Sequence, residues 1–292
     1  MSGDVPRRLR LGTLALAVLL AVGLAIVAPV ATAGPLQADA LAWGFVTVAG
    51  TVALFGYTGS RLAHNRPAGR SRGGAVHPVH PARPVRPVHP SLGVANGLTL
   101  LRGVLFWAVG GFVVATPSHG WLPAVIFAVG ASLDVVDGTV ARRTRTTELG
   151  ERLDPAVDAL GVLVGAAAAV TLDALPAWYL LAGCLWFGYA GSLRLRRRRG
   201  LSVRELPSSR VRGPIGASQM AVIAAALVPP APTGTVTVAA AVAMVALVAS
   251  FLRDWLVATG RLDRETPDAR RTTVTPAART PRDDRIGALD DD

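Results

Sequence analysis

The chain has 292 residues, of which 51% are hydrophobic and 17% charged, with a mean hydropathy of +0.43. That composition excludes a soluble domain built round a single core and points to a polytopic membrane protein. The net charge is +11 and every basic residue is Arg; these residues gather in loops between apolar segments with no nucleic-acid-binding module, so anionic membrane lipids rather than nucleic acid are the expected partner.

Runs of about twenty apolar residues predict eight spans, at approximately 11–33, 38–58, 96–116, 121–143, 152–173, 176–195, 213–230 and 234–258. The first follows a basic start and ends near Ala31-Thr32-Ala33, a plausible leader cleavage site. Its length, and the second span straight after it, favour an uncleaved helix. Residues 1–59 are therefore expected to form two N-terminal transmembrane helices. Residues 60–91 read as a cytoplasmic Pro/Arg/His-rich linker. Its prolines at 78, 81, 84, 87 and 90 keep the three-residue period of polyproline II, with His80, Arg83, Arg86 and His89 along another edge. At roughly 3.1 Å per residue, thirteen residues reach about 40 Å, which predicts a stiff spacer with a basic ridge lying on anionic headgroups. The same extension spaces His77, His80 and His89 too far apart for one ion.

The third span opens with SLGVANGLTLLRG, where Asn96, Thr99 and Arg102 share a helix face. Taken alone, these residues fit either a polar pocket wall or a cap with a snorkelling Arg.

The fourth and fifth spans carry four acids at their polar ends. On a helix Asp134 and Asp137 share a face with Gly138 and Ala141, two residues too small to block a ligand. Asp154 and Asp158 stand four apart on the next helix, one turn beyond Gly150 if that helix begins so early. Pro155 is expected in the first turn, where it needs no donor. Antiparallel packing about the polar loop RTRTTELGER would bring all four acids to one spot. Each isolated acid in an apolar span costs roughly a few kcal/mol, so cations are required, and oxygen-only ligation selects Mg2+ or Mn2+. Arg142, with Arg143 or Arg145 nearby, offers a fork for phosphate oxygens, which points to a diphosphate substrate.

Asp134-x-x-Asp137-Gly138-x-x-Ala141-Arg142, seven residues, then Gly150-x-x-x-Asp154-x-x-x-Asp158 resembles the signature of the CDP-alcohol phosphatidyltransferase family, with all eight signature residues in place. The resemblance implies an all-α polytopic membrane fold, with a six-helix transferase core over 92–259 to which the two N-terminal helices are added. It also implies a homodimer, and transfer of a phosphatidyl group from CDP-diacylglycerol to the hydroxyl of a small polar alcohol with release of CMP. Asn96, Thr99 and Arg102 resemble the family's Asn-x-x-Thr-x-x-Arg element. Asn96 and Thr99, with Gly138, Ala141, Arg142 and Gly150, are thus expected to line the nucleotide and diphosphate pocket. Asp134, Asp137, Asp154 and Asp158 are the expected metal ligands; Asp158, deepest along its helix and away from Arg142, is also the candidate base. An ion-coupled transporter is the rival reading of intramembrane acids, but the chain has no second copy of the acid pattern and its acids sit at helix ends. A catalytically silent member of the same fold is disfavoured because all four acids are present.

After the sixth span, Arg194 and Arg196 to Arg199 form a topology anchor. Arg210 and Arg212 then serve either as further anchors or as contacts to an acceptor phosphate, although the Gly-Lys pair common at this place in the family is Gly213-Pro214 here. The Arg-rich segments all fall on one side of the predicted spans, while the loops near Gly34, Pro117 to Gly120, Asp173 to Pro176 and Pro229 to Gly234 contain no Arg. Both termini and the acids are therefore expected to be cytoplasmic, in the plasma membrane. The lone cysteine, Cys184, is expected to be a small packing residue. Residues 260–292 are polar and read as a disordered cytoplasmic tail. The acceptor is left open, with the Arg content leaning toward a polyol phosphate such as glycerol 3-phosphate.

Overall fold

A computed structural model describes residues 5–32, 37–67, 87–143, 147–204, 206, 211–230 and 233–262, with the side chains of 37, 135–143 and 233 outside that description. It contains eight α-helices: α1 Arg7–Ala31, α2 Gln37–Gly59, α3 Gly93–Gly110, α4 Leu122–Arg143, α5 Glu148–Thr171, α6 Leu180–Arg198, α7 Arg212–Ala226 and α8 Thr233–Ala258. Among the described residues there is no strand, so the chain is an all-α polytopic membrane protein. Five helices, α1, α2, α3, α5 and α8, are long and apolar enough to cross a membrane. The other three fall short for local reasons. The apolar part of α4 stops at Asp134, α6 ends in arginines, and α7 has 15 residues and closes just before Pro229.

In a bilayer an apolar helix need not hide its side chains from its surroundings. Leu14, Leu19, Ile26 and Val30 accordingly project outward from α1. The buried core runs along α3 and α5, where Leu100, Phe106, Val157 and Ala166 meet Phe127 of α4 and Ile223 of α7. The Phe106 and Phe127 rings lie 5.4 Å apart. Helix α2 approaches α3 so closely that a Cβ on Gly50 would lie 2.0 Å from the Trp107 indole. Trp43, 1% exposed, packs beside Phe112 with ring centroids 5.9 Å apart. The first two helices are thus docked on the core.

This docking changes the reading of the segment that joins them to it. His89 N donates to Asn65 O at 2.8 Å and Asn65 Nδ2 to Ser91 O at 2.7 Å, so the two ends of the linker are pinned together rather than spaced apart. Residues 68–86, with His77, His80, Arg83 and Arg86, lie outside the described residues, as does the tail from 263.

Odd-numbered helices start, and even-numbered helices finish, at one end of the bundle. There Leu9, Leu62, Leu149 and Leu153 cluster, and Arg212 meets Asp254. At the other end Ser118 N donates to Ala31 O at 2.9 Å, and Gly120 faces Pro229. Every Arg among the described connections falls at the first end. Cys184, expected inside, is exposed on α6; its neighbours Ala182 and Gly183 take the buried positions.

Candidate active site

Helix α5 begins at Glu148, earlier than the apolar pattern predicts, because Thr147 caps it. Thr147 is extended (φ −113, ψ 152) and its hydroxyl accepts from Gly150 N at 3.1 Å. Glu148 and Glu151 then sit in the first turn, where the positive end of the helix dipole favours them. Pro155 consequently falls in the second turn, not the first. It supplies no amide to the Glu151 carbonyl, a loss softened by exposure of both residues near the helix start. Gly150, Asp154 and Asp158, spaced by four, share the α5 face that meets α3.

Helix α3 supplies the opposing wall. Thr99, 2% exposed, donates its hydroxyl to Asp154 Oδ1 at 2.7 Å, with the Ala95 carbonyl an alternative acceptor at 3.2 Å. Arg102 reaches two helices at once: Nη1 lies 2.8 Å from Asp134 Oδ1 on α4, and Nη2 lies 2.5 Å from Asp158 Oδ1 on α5. Its side chain is 1% exposed, which removes the snorkelling alternative. The two aspartates are 55% and 48% exposed, so they border open space while their counter-charge lies behind them. A buried guanidinium without such acids would be strongly disfavoured.

Asn96 has a different task. Its Nδ2 donates to Leu92 O at 2.8 Å and lies 3.1 Å from Thr147 Oγ1 and 3.3 Å from Asn65 Oδ1. A Cβ on Gly150 would lie 2.7 Å from Asn96 Oδ1, so a larger residue here would push the Asn96 amide out of its present place. Asn96 therefore braces the start of α5. Asn65 and Thr147, which sequence reasoning missed, complete the brace. The available signal was a Thr followed by two acids before an apolar run, a helix-start pattern.

Asp137, Gly138, Ala141 and Arg142 lie on α4, but their side chains are outside the described residues, as is all of Arg210. Arg212 is bound to α8 and not to the acids. Its Nε donates to Asp254 Oδ2 at 2.6 Å and its Nη2 to Asp254 Oδ1 at 3.2 Å. Asp254 was a further omission from the sequence reading.

Among the described residues no three His, Cys, Asp or Glu side chains group closely enough to hold an ion, and Arg102 stands between Asp134 and Asp158. The donor set itself is carboxylate throughout. It fits a hard divalent cation and not a thiolate- or imidazole-bound metal. Half-exposed carboxylates backed by a buried guanidinium and a hydroxyl offer two capacities: holding such a cation against phosphate oxygens, and accepting a proton.

Residues 92–260 match the profile of a family described as CDP-alcohol phosphatidyltransferase. The match takes in α3 to α8 and leaves α1, α2 and Asn65 outside it. No curated protein matches the chain.

Proposed function

Because the chain belongs to the CDP-alcohol phosphatidyltransferase family, we propose that it moves the phosphatidyl group of CDP-diacylglycerol onto the hydroxyl of a phosphorylated polyol such as glycerol 3-phosphate, releasing CMP. Phosphatidyl transfer from a CDP-alcohol is the reaction of the family, which generally uses divalent cations. The observation that carries the reading is the convergence of three signature acids, from two helices, on one face of α3, with Thr99 on Asp154 and Arg102 between Asp134 and Asp158.

Asp134, Asp137 and Asp154 would hold Mg2+ or Mn2+, with Asp158 close enough to assist, and the cation when bound neutralises charge on the diphosphate. Arg142 forks onto diphosphate oxygens. Thr99, Gly138, Ala141 and Gly150 form the nucleotide side of the pocket, and Asn96, expected there from the sequence, stands behind it as the brace of α5. Asp158 takes the proton of the acceptor hydroxyl. The acceptor oxygen then bonds to the lipid-linked phosphorus as the bond from that phosphorus to the CMP oxygen breaks, in one displacement. Arg212 and Arg210 receive the acceptor phosphate, with Asp254 holding Arg212 in place before the acceptor arrives.

The transferase domain spans 92–259, preceded by the membrane helices of 1–59 and the linker of 60–91 and followed by the tail of 260–292. It acts as a homodimer in the plasma membrane with its acids toward the cytoplasm. The one-sided distribution of Arg supports that orientation. In protein lacking Cys184, single cysteines at 119 and 200 are expected to label from opposite sides; labelling from one side contradicts the topology. The acceptor is tested by offering purified protein CDP-diacylglycerol with glycerol 3-phosphate, inositol phosphate or serine in turn. A lipid product from glycerol 3-phosphate is expected. A product from serine alone overturns the acceptor, and no product from any overturns the transfer.

A further inference from the structure

The segment that follows α2 lies outside the family match, yet it touches the start of the helix that carries two of the acids. Glu148 N donates to Arg66 O at 3.0 Å, and Pro67 pairs with Thr147 in an isolated antiparallel bridge. Asn65, with no exposed surface, is the junction. Its Nδ2 donates to Ser91 O and its Oδ1 lies 3.3 Å from Asn96 Nδ2, while Asn96 Nδ2 lies 3.1 Å from the Thr147 hydroxyl that caps α5. Leu62 packs against Leu149 and Leu153 in the same two turns of α5. Asp154 follows Leu153 directly, and Asp158 follows one turn later.

A buried amide such as Asn65 is costly unless its hydrogen bonds are made, and the same bonds fix direction. Here they run from the N-terminal helix pair, through α3, to the first turn of α5. A rigid start fixes the rotation of α5 about its axis, and that rotation sets where Asp154 and Asp158 point relative to Asp134.

We propose that residues 62–67, with Asn65 as positioning residue, set the register of α5 for the acids, so that the N-terminal helix pair is a working part of the transferase and not only an anchor. The proposal rests on the acids being the cation ligands, as the proposed function has it. It is distinct from that reading because the side-chain hydrogen bonds of Asn65 go to His89, Ser91 and Asn96, and not to Asp134, Asp154 or Asp158.

The test combines Mn2+ binding to purified full-length protein, followed by electron paramagnetic resonance, with hydrogen exchange of the α5 first turn. Asn65→Ala is expected to raise the half-saturating Mn2+ concentration by up to about tenfold, the lower bound for losing a group bonded directly to a ligand, because Asn65 acts through Asn96 and Thr147. It should also speed exchange at Gly150 to Leu153 while α7 and α8 are unchanged. Thr147→Val should act in the same direction and Thr147→Ser should restore binding. The double variant should be less than additive, since both break one chain of bonds. A merely stabilising role would lower the folded fraction without moving the half-saturation point of the folded protein. If Asn65→Ala does not fold, the isosteric Asn65→Asp takes its place in the cycle. Unchanged Mn2+ binding and α5 exchange in the Asn65 variant, or full additivity with Thr147→Val, overturns the proposal. Failure of the wild-type protein to bind Mn2+ while α5 exchange still responds to Asn65 overturns the cation reading instead.

Discussion

Arg102 and Arg212 each join aspartate across a helix interface, but in different surroundings. Arg102 is 1% exposed and shared between acids of two helices, whereas Arg212 is 36% exposed and donates from Nε and Nη2 to the one carboxylate of Asp254. The first arrangement is tolerable only if the acids are present, and it fixes α4 and α5 against α3. The second joins a partly exposed arginine to a single aspartate that is 15% exposed, within one helix pair. Burial, not the number of charges, separates the residue that organises the acids from the one that closes the α7–α8 end.

The contrast is broken most severely at the acid end. Asp158→Asn is expected to lower kcat by about 10²–10⁴-fold, the usual worth of a positioned base, while Mn2+ binding survives; Asp137→Asn should lose both. Parallel binding and turnover measurements decide, and equal loss of the two in Asp158→Asn would make Asp158 a ligand only. Next, Arg102→Met removes the counter-charge of two acids. Because those acids are half exposed, the expected loss is about 3 kcal/mol, the lower end for a broken buried pair, read as thermal unfolding in detergent. Thr99→Val keeps shape but strips the hydroxyl from Asp154, and the divalent ion needed for half-maximal activity should rise by about 10–100-fold. The smallest effect is at the other arginine. Arg212→Met leaves Asp254, 15% exposed, without its partner and should cost about 1–3 kcal/mol of stability, and it is expected to raise the KM for a phosphorylated acceptor. A stability loss from Arg212→Met equal to that from Arg102→Met would erase the distinction.

Much of the helical order was legible because apolar runs of bilayer length have one structural outcome, and the acid spacing placed the site on α4 and α5. What the pattern hid depended on contacts between segments distant in sequence. Polar Glu148 to Arg152 looked like loop, yet the Thr147 cap and the Arg66 carbonyl turn them into helix and push Pro155 into the second turn. Arg102 was visible as one residue of a polar face, but its two partners lie 32 and 56 residues away in sequence, on different helices. Asn65 carried no signal, since a single Asn after an apolar span reads as the beginning of a loop. The proline period suggested separation, whereas the docking of Gly50 on Trp107 of α3, and of Trp43 on Phe112 just beyond it, decides where the linker must return.

The central claim is that these acids support cation-dependent transfer from a CDP-linked lipid. Its most direct test is CMP release by the purified protein from CDP-diacylglycerol, with and without an alcohol acceptor, in EDTA and after Mg2+ or Mn2+ is restored. The account predicts release only when acceptor and divalent cation are both present. Acceptor-dependent release that continues undiminished in EDTA, or no release under any of these conditions, would contradict it.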